Sequence, residues 1–273
     1  MTTIVIDFYA AHPRETLRCL RDECGATGVA RYLVSDPDTD PRAIPRTEVD
    51  DAHALGMSVH FFFEMDPRYP AYFTHAQGVT DCEAAIRHLD QLAAPRGTVV
   101  YFAVDAPPSQ IPPDAIVPYF NGVDEAAQAS AGRIVAGIYG FEAHVELARA
   151  AFPNIGKHLA QTYGTPRGAL DLWQHEQRRG LCGGVDVDVD DCTVPGWAPE
   201  EGATGMAITK TQYIEKDAAT GQSLEDLVKA TVRVIYANEI APGLEDEILQ
   251  RVAAGEQDAV AKAIRAVGER LTQ

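Results

Sequence analysis

Hydrophobic positions follow two alternating rhythms over most of the chain. Continuous or period-two apolar runs predict strands at 2–9 (TTIVIDFY), 28–34 (GVARYLV), 57–64 (MSVHFFFE), 97–105 (GTVVYFAVD), 133–140 (RIVAGIYG), 157–164 (KHLAQTYG), 169–176 (ALDLWQHE) and 185–189 (VDVDV). Between the first six lie stretches of helical period: Arg14–Cys24 closed by Gly25, Thr47–Leu55 ended by Gly56, Thr80–Ala93, Pro113–Ala131 and Phe141–Phe152. In the third of these, Thr80 is the expected N-cap with Glu83 three residues on, and Ala85, Leu89 and Leu92 mark the apolar face. The last three strands leave no room for helices between them. Strands alternating with helices imply βα units and a parallel sheet. Eight of them predict an α/β fold, an irregular (β/α)8 TIM-type barrel with a helix-poor last third. An open doubly wound sheet is the competitor, and the lack of a glycine-rich loop after the first strand weighs against it.

The rhythm changes after the proline- and glycine-bearing segment 193–205 (TVPGWAPEEGATG). Ser223 and Asp226 form an N-cap pattern ahead of Leu224, Leu227, Val228 and Ile235 on one helical face. Leu244, Ile248 and Val252 mark a short helix, and Val260, Ile264, Val267 and Leu271 a stripe on a last one. Residues 1–198 are therefore read as the barrel and 199–273 as a small C-terminal α-helical appendage. Core packing is the plain reading of its stripes; self-association or contact with a virion is the other.

The period-two pattern is sharpest in GGVDVDVDDC, residues 183–192. Side chains alternate faces along a strand, so Asp186, Asp188 and Asp190 share one side and the valines the other. A buried carboxylate without a partner is costly, so such a row faces water, a cation, or a site that uses carboxylates. A calcium loop fails, because Asp191 stands where the turn glycine belongs and Trp197 where the bidentate glutamate should be.

The chain has 273 residues, 46% of them hydrophobic, enough for a sizeable core. A formal net charge of −17 disfavours a nucleic-acid partner, since phosphate binding needs a basic surface. No stretch approaches the roughly 20 apolar residues of a membrane span, and MTTIVIDFYAAHPRE lacks the basic and apolar regions of an export signal. The five cysteines, Cys19, Cys24, Cys82, Cys182 and Cys192, are odd in number and lack C-x-x-C spacing. Neither a zinc site nor a disulfide framework is expected from them. Synthesis in a cytoplasm with reduced thiols follows as the expectation, with lysis or incorporation into a virion as the route to any outside work. The eight histidines show no H-E-x-x-H, no G-x-S-x-G elbow occurs, and no metal or cofactor is expected.

In a barrel of parallel strands the carboxyl ends meet at one face, where chemistry is found. Asp7 ends strand one, Glu64 strand three and Asp105 strand four, while Asp186 or Asp188 ends strand eight. Paired carboxylates are the equipment of glycoside hydrolysis, one protonating the leaving oxygen and the other serving as base, nucleophile or charge stabiliser. Tyr9, Tyr139 and Trp173 are candidate stacking walls for sugar rings, with Gln174 beside the last; Tyr101, mid-strand, reads as core. Arg31, at a strand end, is expected to pair with one of the acids and lower its pKa.

IVIDFY, ARYL, MSVHFFFE, VVYFAVD, AGIYG, LWQHEQ and GVDVDV, in this order and spacing, resemble the glycoside-hydrolase-like domain family related to the family-25 lysozymes. The resemblance covers about residues 2–195. It implies an irregular (β/α)8 barrel acting on bacterial cell-wall peptidoglycan, as a muramidase, a phage endolysin or a virion-associated protein. It also implies that Asp7, Asp105 and Asp186 or Asp188 match the lysozyme acids of strands one, four and eight, and Glu64 the strand-three acid of the glycoside-hydrolase-like branch. One departure matters. The lysozymes' proton donor is the glutamate of a D-x-E motif, and Pro107 stands there in FAVDAPP. Either Glu64 or Asp105 has taken the acid role, or the barrel binds cell-wall glycan without cutting it.

Overall fold

The computed structural model describes residues 2–65 and 68–199. Eight strands, β1 (Thr3–Asp7), β2 (Gly28–Leu33), β3 (Ser58–Phe63), β4 (Thr98–Val104), β5 (Ile134–Gly140), β6 (Leu159–Thr162), β7 (Leu172–Leu181) and β8 (Val185–Cys192), close into a barrel in sequence order. Five helices connect the first six: α1 (Arg14–Cys24), α2 (Arg46–Ala54), α3 (His75–Gln91), α4 (Val117–Ala129) and α5 (Glu142–Ala151). Closure excludes the open doubly wound sheet. The helical appendage expected over 199–273 lies outside the described residues, apart from residue 199 itself. Among the described residues no helix is long and apolar enough to cross a membrane.

The barrel is not wholly parallel. β1 through β7 run parallel to their neighbours, but β8 is antiparallel to both β7 and β1. The cause is the short link Cys182–Gly184, too short for the crossover a parallel pair needs. All three link residues have positive φ, which two glycines supply readily. The start of β8 therefore lies at the carboxyl ends of the other strands, and Asp188 faces Asp7 in register. Pairing of β1 with β8 stops there, and pairing of β6 with β7 stops at Thr162 and Gln174. Beyond these points β7 and β8 continue as a two-stranded ribbon, pairing Gln177 with Asp188, Arg178 with Val187 and Leu181 with Val185.

Strand alternation builds two cores. Val5, Ala30, Phe62, Tyr101, Ala160 and Leu172 are among those filling the barrel, while Ile6, Val29, Phe61, Phe63, Val187 and Val189 pack outward under the helices. The third helix begins earlier than its sequence pattern suggests. Thr74 is the N-cap and accepts from the Gln77 N–H, whereas the Thr80 hydroxyl, inside the helix, donates to the Ala76 carbonyl at 2.9 Å. Gly78 masked that first turn by its poor helix propensity. Its reason is tertiary: a Cβ at Gly78 would collide with the Tyr119 carbonyl oxygen, and one at Gly122 with that of His75. The two glycines let α3 and α4 cross with their backbones nearly touching. The stretch from Pro113 splits into a 3₁₀ turn, Pro113–Ile116, and then α4.

The expectation of no disulfide is overturned: Cys19 of α1 is bonded to Cys182 in the ribbon's turn. The partners are 163 residues apart, so no local spacing announced them. Cys24, Cys82 and Cys192 are free and buried.

Candidate active site

The carboxyl ends of β1, β3 and β4 and the start of β8 bring Asp7, Glu64, Asp105 and Asp188 to one mouth of the barrel. Asp7 feels the charges of Asp188 and Glu64, Glu64 that of Asp105, and Asp105 that of Asp188. Asp7 is the deepest, 4% exposed, and accepts a hydrogen bond from the Tyr32 hydroxyl at 3.3 Å. Burial first, then the neighbouring Asp188, pushes its pKa up to about 8. Glu64 lines an open cleft of about 640 Å³ together with Tyr9, Asp40, Arg42, Arg68 and Tyr69. Burial and the charge of Asp105 push Glu64 up to about 7, against the pull of Arg42 and Arg68. Asp105, at 35% side-chain exposure the most open of this pair, is raised by burial but held back by Arg68, 3.7 Å away. Asp188 is half-buried and raised by burial, with the Gln177 and Gln174 side chains beside it opposing the shift.

Asp190 lies one inward position deeper on β8, opposite Val5. It is 1% exposed, neither of its carboxyl oxygens has a hydrogen-bond partner, and burial raises its pKa strongly. A carboxylate so placed would be prohibitively costly, so this group is neutral.

The ambiguity between Asp186 and Asp188 resolves on the ribbon. Asp188 joins the acids. Asp186 projects from the hairpin with its side chain 60% exposed, accepting from the Gly180 N–H at 2.9 Å and facing Arg179 at 3.5 Å. Tyr9, 63% exposed, lies on the cleft as a stacking wall requires. Tyr139 and Gln174 lie inside the barrel instead, both buried, with the Tyr139 hydroxyl donating to Gln174 Oε1. Buried there, Tyr139 offers no open ring face.

Two sequence-based expectations fail on strand parity. Ala30 and Tyr32 point into the barrel, so Arg31 points out, fully buried, its guanidinium bonded to Glu48 Oε1 at 2.6 Å and to the Phe8 and Arg42 carbonyls. Arg31 does lower the Asp7 pKa, as the weakest of the influences on it. Leu172 and Gln174 point in, so Trp173 packs outward against the helical layer, its ring 5.0 Å from His175. Neither lines the cleft.

Other groups at the mouth went unread in the sequence. Tyr32 was recoverable from the parity of ARYL. Arg42, clamped by Asp40 at 2.7 Å and 3.6 Å from Glu64, and Arg68 and Tyr69 stand on loops whose course no periodicity reveals. Tyr163, half exposed beyond β6, senses Asp188, Asp105 and Asp7. Pro107 turns the chain after β4, its carbonyl accepting from Gln110 and Ile111 at 2.8 and 3.0 Å. At the opposite end of the barrel, His60 is buried with its pKa lowered to about 4 by desolvation, which makes it structural. Among the described residues, metal-ligating atoms converge at Cys19, Glu23 and Cys182, where the two sulfurs are bonded to each other.

This geometry agrees with what comparison with known proteins gives. A family profile described as Rv2525c-like, glycoside hydrolase-like domain matches residues 18–220. The chain belongs to the Rv2525c-like, glycoside hydrolase-like family. The Tat-secreted protein Rv2525c of Mycobacterium tuberculosis, crystallised with L-tartrate, superposes with a TM-score of 0.56 at 19% identity, over 72% of this chain and 98% of its own. An uncharacterized B. stearothermophilus protein superposes with a TM-score of 0.54 at 16% identity, over 70% of this chain and 96% of its own. Identities this low show the shared barrel fold. No curated protein matches the sequence. Membership of the family agrees with the resemblance read over residues 2–195, and with the irregular (β/α)8 barrel it implied.

Proposed function

We propose that this barrel is a glycoside hydrolase of bacterial cell-wall peptidoglycan, muramidase-like, with Glu64 as its proton donor. The observation that carries the reading is Glu64, standing on the open cleft within the electrostatic reach of Asp105. Glu64, raised to about 7 by burial and by the Asp105 charge, keeps a proton near neutral pH. Asp105 is raised by burial too, and Arg68 opposes that shift. A carboxyl that keeps its proton near neutral pH, beside a second one at the same barrel mouth, is what acid-assisted glycoside cleavage needs. Glu64 protonates the leaving glycosidic oxygen, and Asp105 serves as base, nucleophile or stabiliser of the oxocarbenium charge. Tyr9 and Tyr69, both exposed on the cleft, supply faces for sugar rings. In this reading Glu64 takes over the role of the glutamate replaced by Pro107. The Cys19–Cys182 disulfide favours work in an oxidising compartment outside the cytoplasm.

The second reading is glycan binding without cleavage. Pro107 favours it, together with the Arg42 and Arg68 guanidiniums that neutralise the acids at 3.6 and 3.7 Å. Release of reducing sugars from purified peptidoglycan separates the two. The hydrolase reading expects release by the wild type and a loss of about 10²-fold or more in Glu64→Gln/Asp105→Asn. Capture of the wall material with no release by the wild type establishes the binding reading instead.

A further inference from the structure

The ribbon of β7 and β8 is a wall of the acid-lined mouth, and nothing in the barrel's own sheet holds it. Past Gln174 and Asp188 neither strand pairs, among the described residues, with a strand outside the pair. The ladder between them is irregular at Gln174/Glu176 and again at Arg178/Leu181. A lone two-stranded hairpin is marginal in water. One face of this ribbon carries Gln177, Arg179, Asp186 and Asp188. Gln177 stands opposite Asp188 in the ladder, and Arg179 acts on both Asp188 and Tyr163 beyond β6. The other face lies against the helical layer, where Arg178 meets the Cys24 thiol and Leu181 and Val185 are partly buried. The Cys19–Cys182 bond ties the tip of this ribbon to α1.

We propose that the Cys19–Cys182 disulfide is a positioning link that holds the β7–β8 ribbon, and with it Gln177 and Arg179, in place beside Asp188 at the mouth, so that the site is complete only in the oxidised chain. Both cysteines are half-buried, within reach of a small thiol. A dithiol such as dithiothreitol opens the bond by thiolate attack on one sulfur. The S–S bond breaks, two electrons and two protons end on Cys19 and Cys182 as thiols, and the dithiol leaves as its cyclic disulfide. The loss of glycan binding that follows rests on the function proposed above; the freeing of the ribbon does not.

The test is amide hydrogen exchange of the full chain with and without dithiothreitol, and of the Cys182→Ser variant, beside binding to purified peptidoglycan. Opening the bond is expected to speed exchange at residues 176–187 at least tenfold while β4 and β5 keep their protection. Wall binding weakens at least tenfold. Alkylation of Cys19 and Cys182 in the unreduced protein overturns the proposal. So does unchanged exchange at 176–187 after reduction, or an equal rise across β4 and β5, which would make the link a brace for the whole barrel. If the oxidised chain does not bind peptidoglycan, the function proposed above fails, and the exchange data still decide the role of the link.

Discussion

Asp7 and Asp188 stand directly opposite each other across the antiparallel pair of β1 and β8, two like charges placed on neighbouring strands. Directly opposed like charges destabilise a sheet, and burial adds to the cost. Asp7 therefore carries a folded-state pKa of about 8 against 3.8 for the free side chain. Between those values the folded chain binds a proton that the unfolded chain does not, so stability falls as pH rises through this window. Asp7→Asn is expected to be more stable than wild type by more than about 1.4 kcal/mol at pH 8, with the gain fading toward pH 4. Urea unfolding at the two pH values checks this; a gain independent of pH contradicts it.

The buried Arg31–Glu48 pair gives a second prediction. Both side chains are almost wholly inaccessible, and removing one partner leaves the other charge buried alone. Arg31→Met is expected to cost about 3–5 kcal/mol, and Arg31→Met/Glu48→Leu to recover most of it. Denaturant midpoints measure both. If Arg31 served the cleft instead, the single variant would lose glycan binding with little change in stability.

The crossing of α3 and α4 gives a third. Alanine at Gly78 improves helix propensity, yet its Cβ meets the Tyr119 carbonyl, so Gly78→Ala is expected to destabilise by about 1–3 kcal/mol. Thr74→Ala, which removes the cap, costs about 1 kcal/mol. Thr80→Ala, at the position the sequence pattern marks as the cap, changes stability by less than about 0.5 kcal/mol. Thermal unfolding of the three variants settles the order.

These sites also show how far the sequence could be read. The acids at strand ends were legible because an apolar strand that finishes in a carboxylate is a local signal, and Asp7, Glu64, Asp105 and Asp188 do converge. The barrel was legible from the rhythm of strands and helices. Arg31 and Trp173 were assigned to the cleft because a strand end looks alike on both faces; the inward positions of Ala30, Tyr32, Leu172 and Gln174 decide the matter. Arg42 and Arg68 reach the acids through loops, and Cys19 finds Cys182 across 163 residues. Contacts of that kind are fixed by the fold as a whole and leave no local trace.

Acid catalysis by Glu64 makes the pH dependence of hydrolysis the fourth prediction. Activity should fall as pH rises through about 7, where Glu64 loses its proton. Arg42→Ala removes a charge that favours the carboxylate and should move this limb to higher pH. The opposite shift would place the donor elsewhere.

The most direct measurement is a carboxyl NMR titration of Glu64 in wild type and in Asp105→Asn. A midpoint near 7 that falls when the Asp105 charge is removed is the result expected of a proton donor tuned by its neighbour. A midpoint at the ordinary glutamate value of about 4.3, unmoved by Asp105→Asn, contradicts the assignment of Glu64 as the acid.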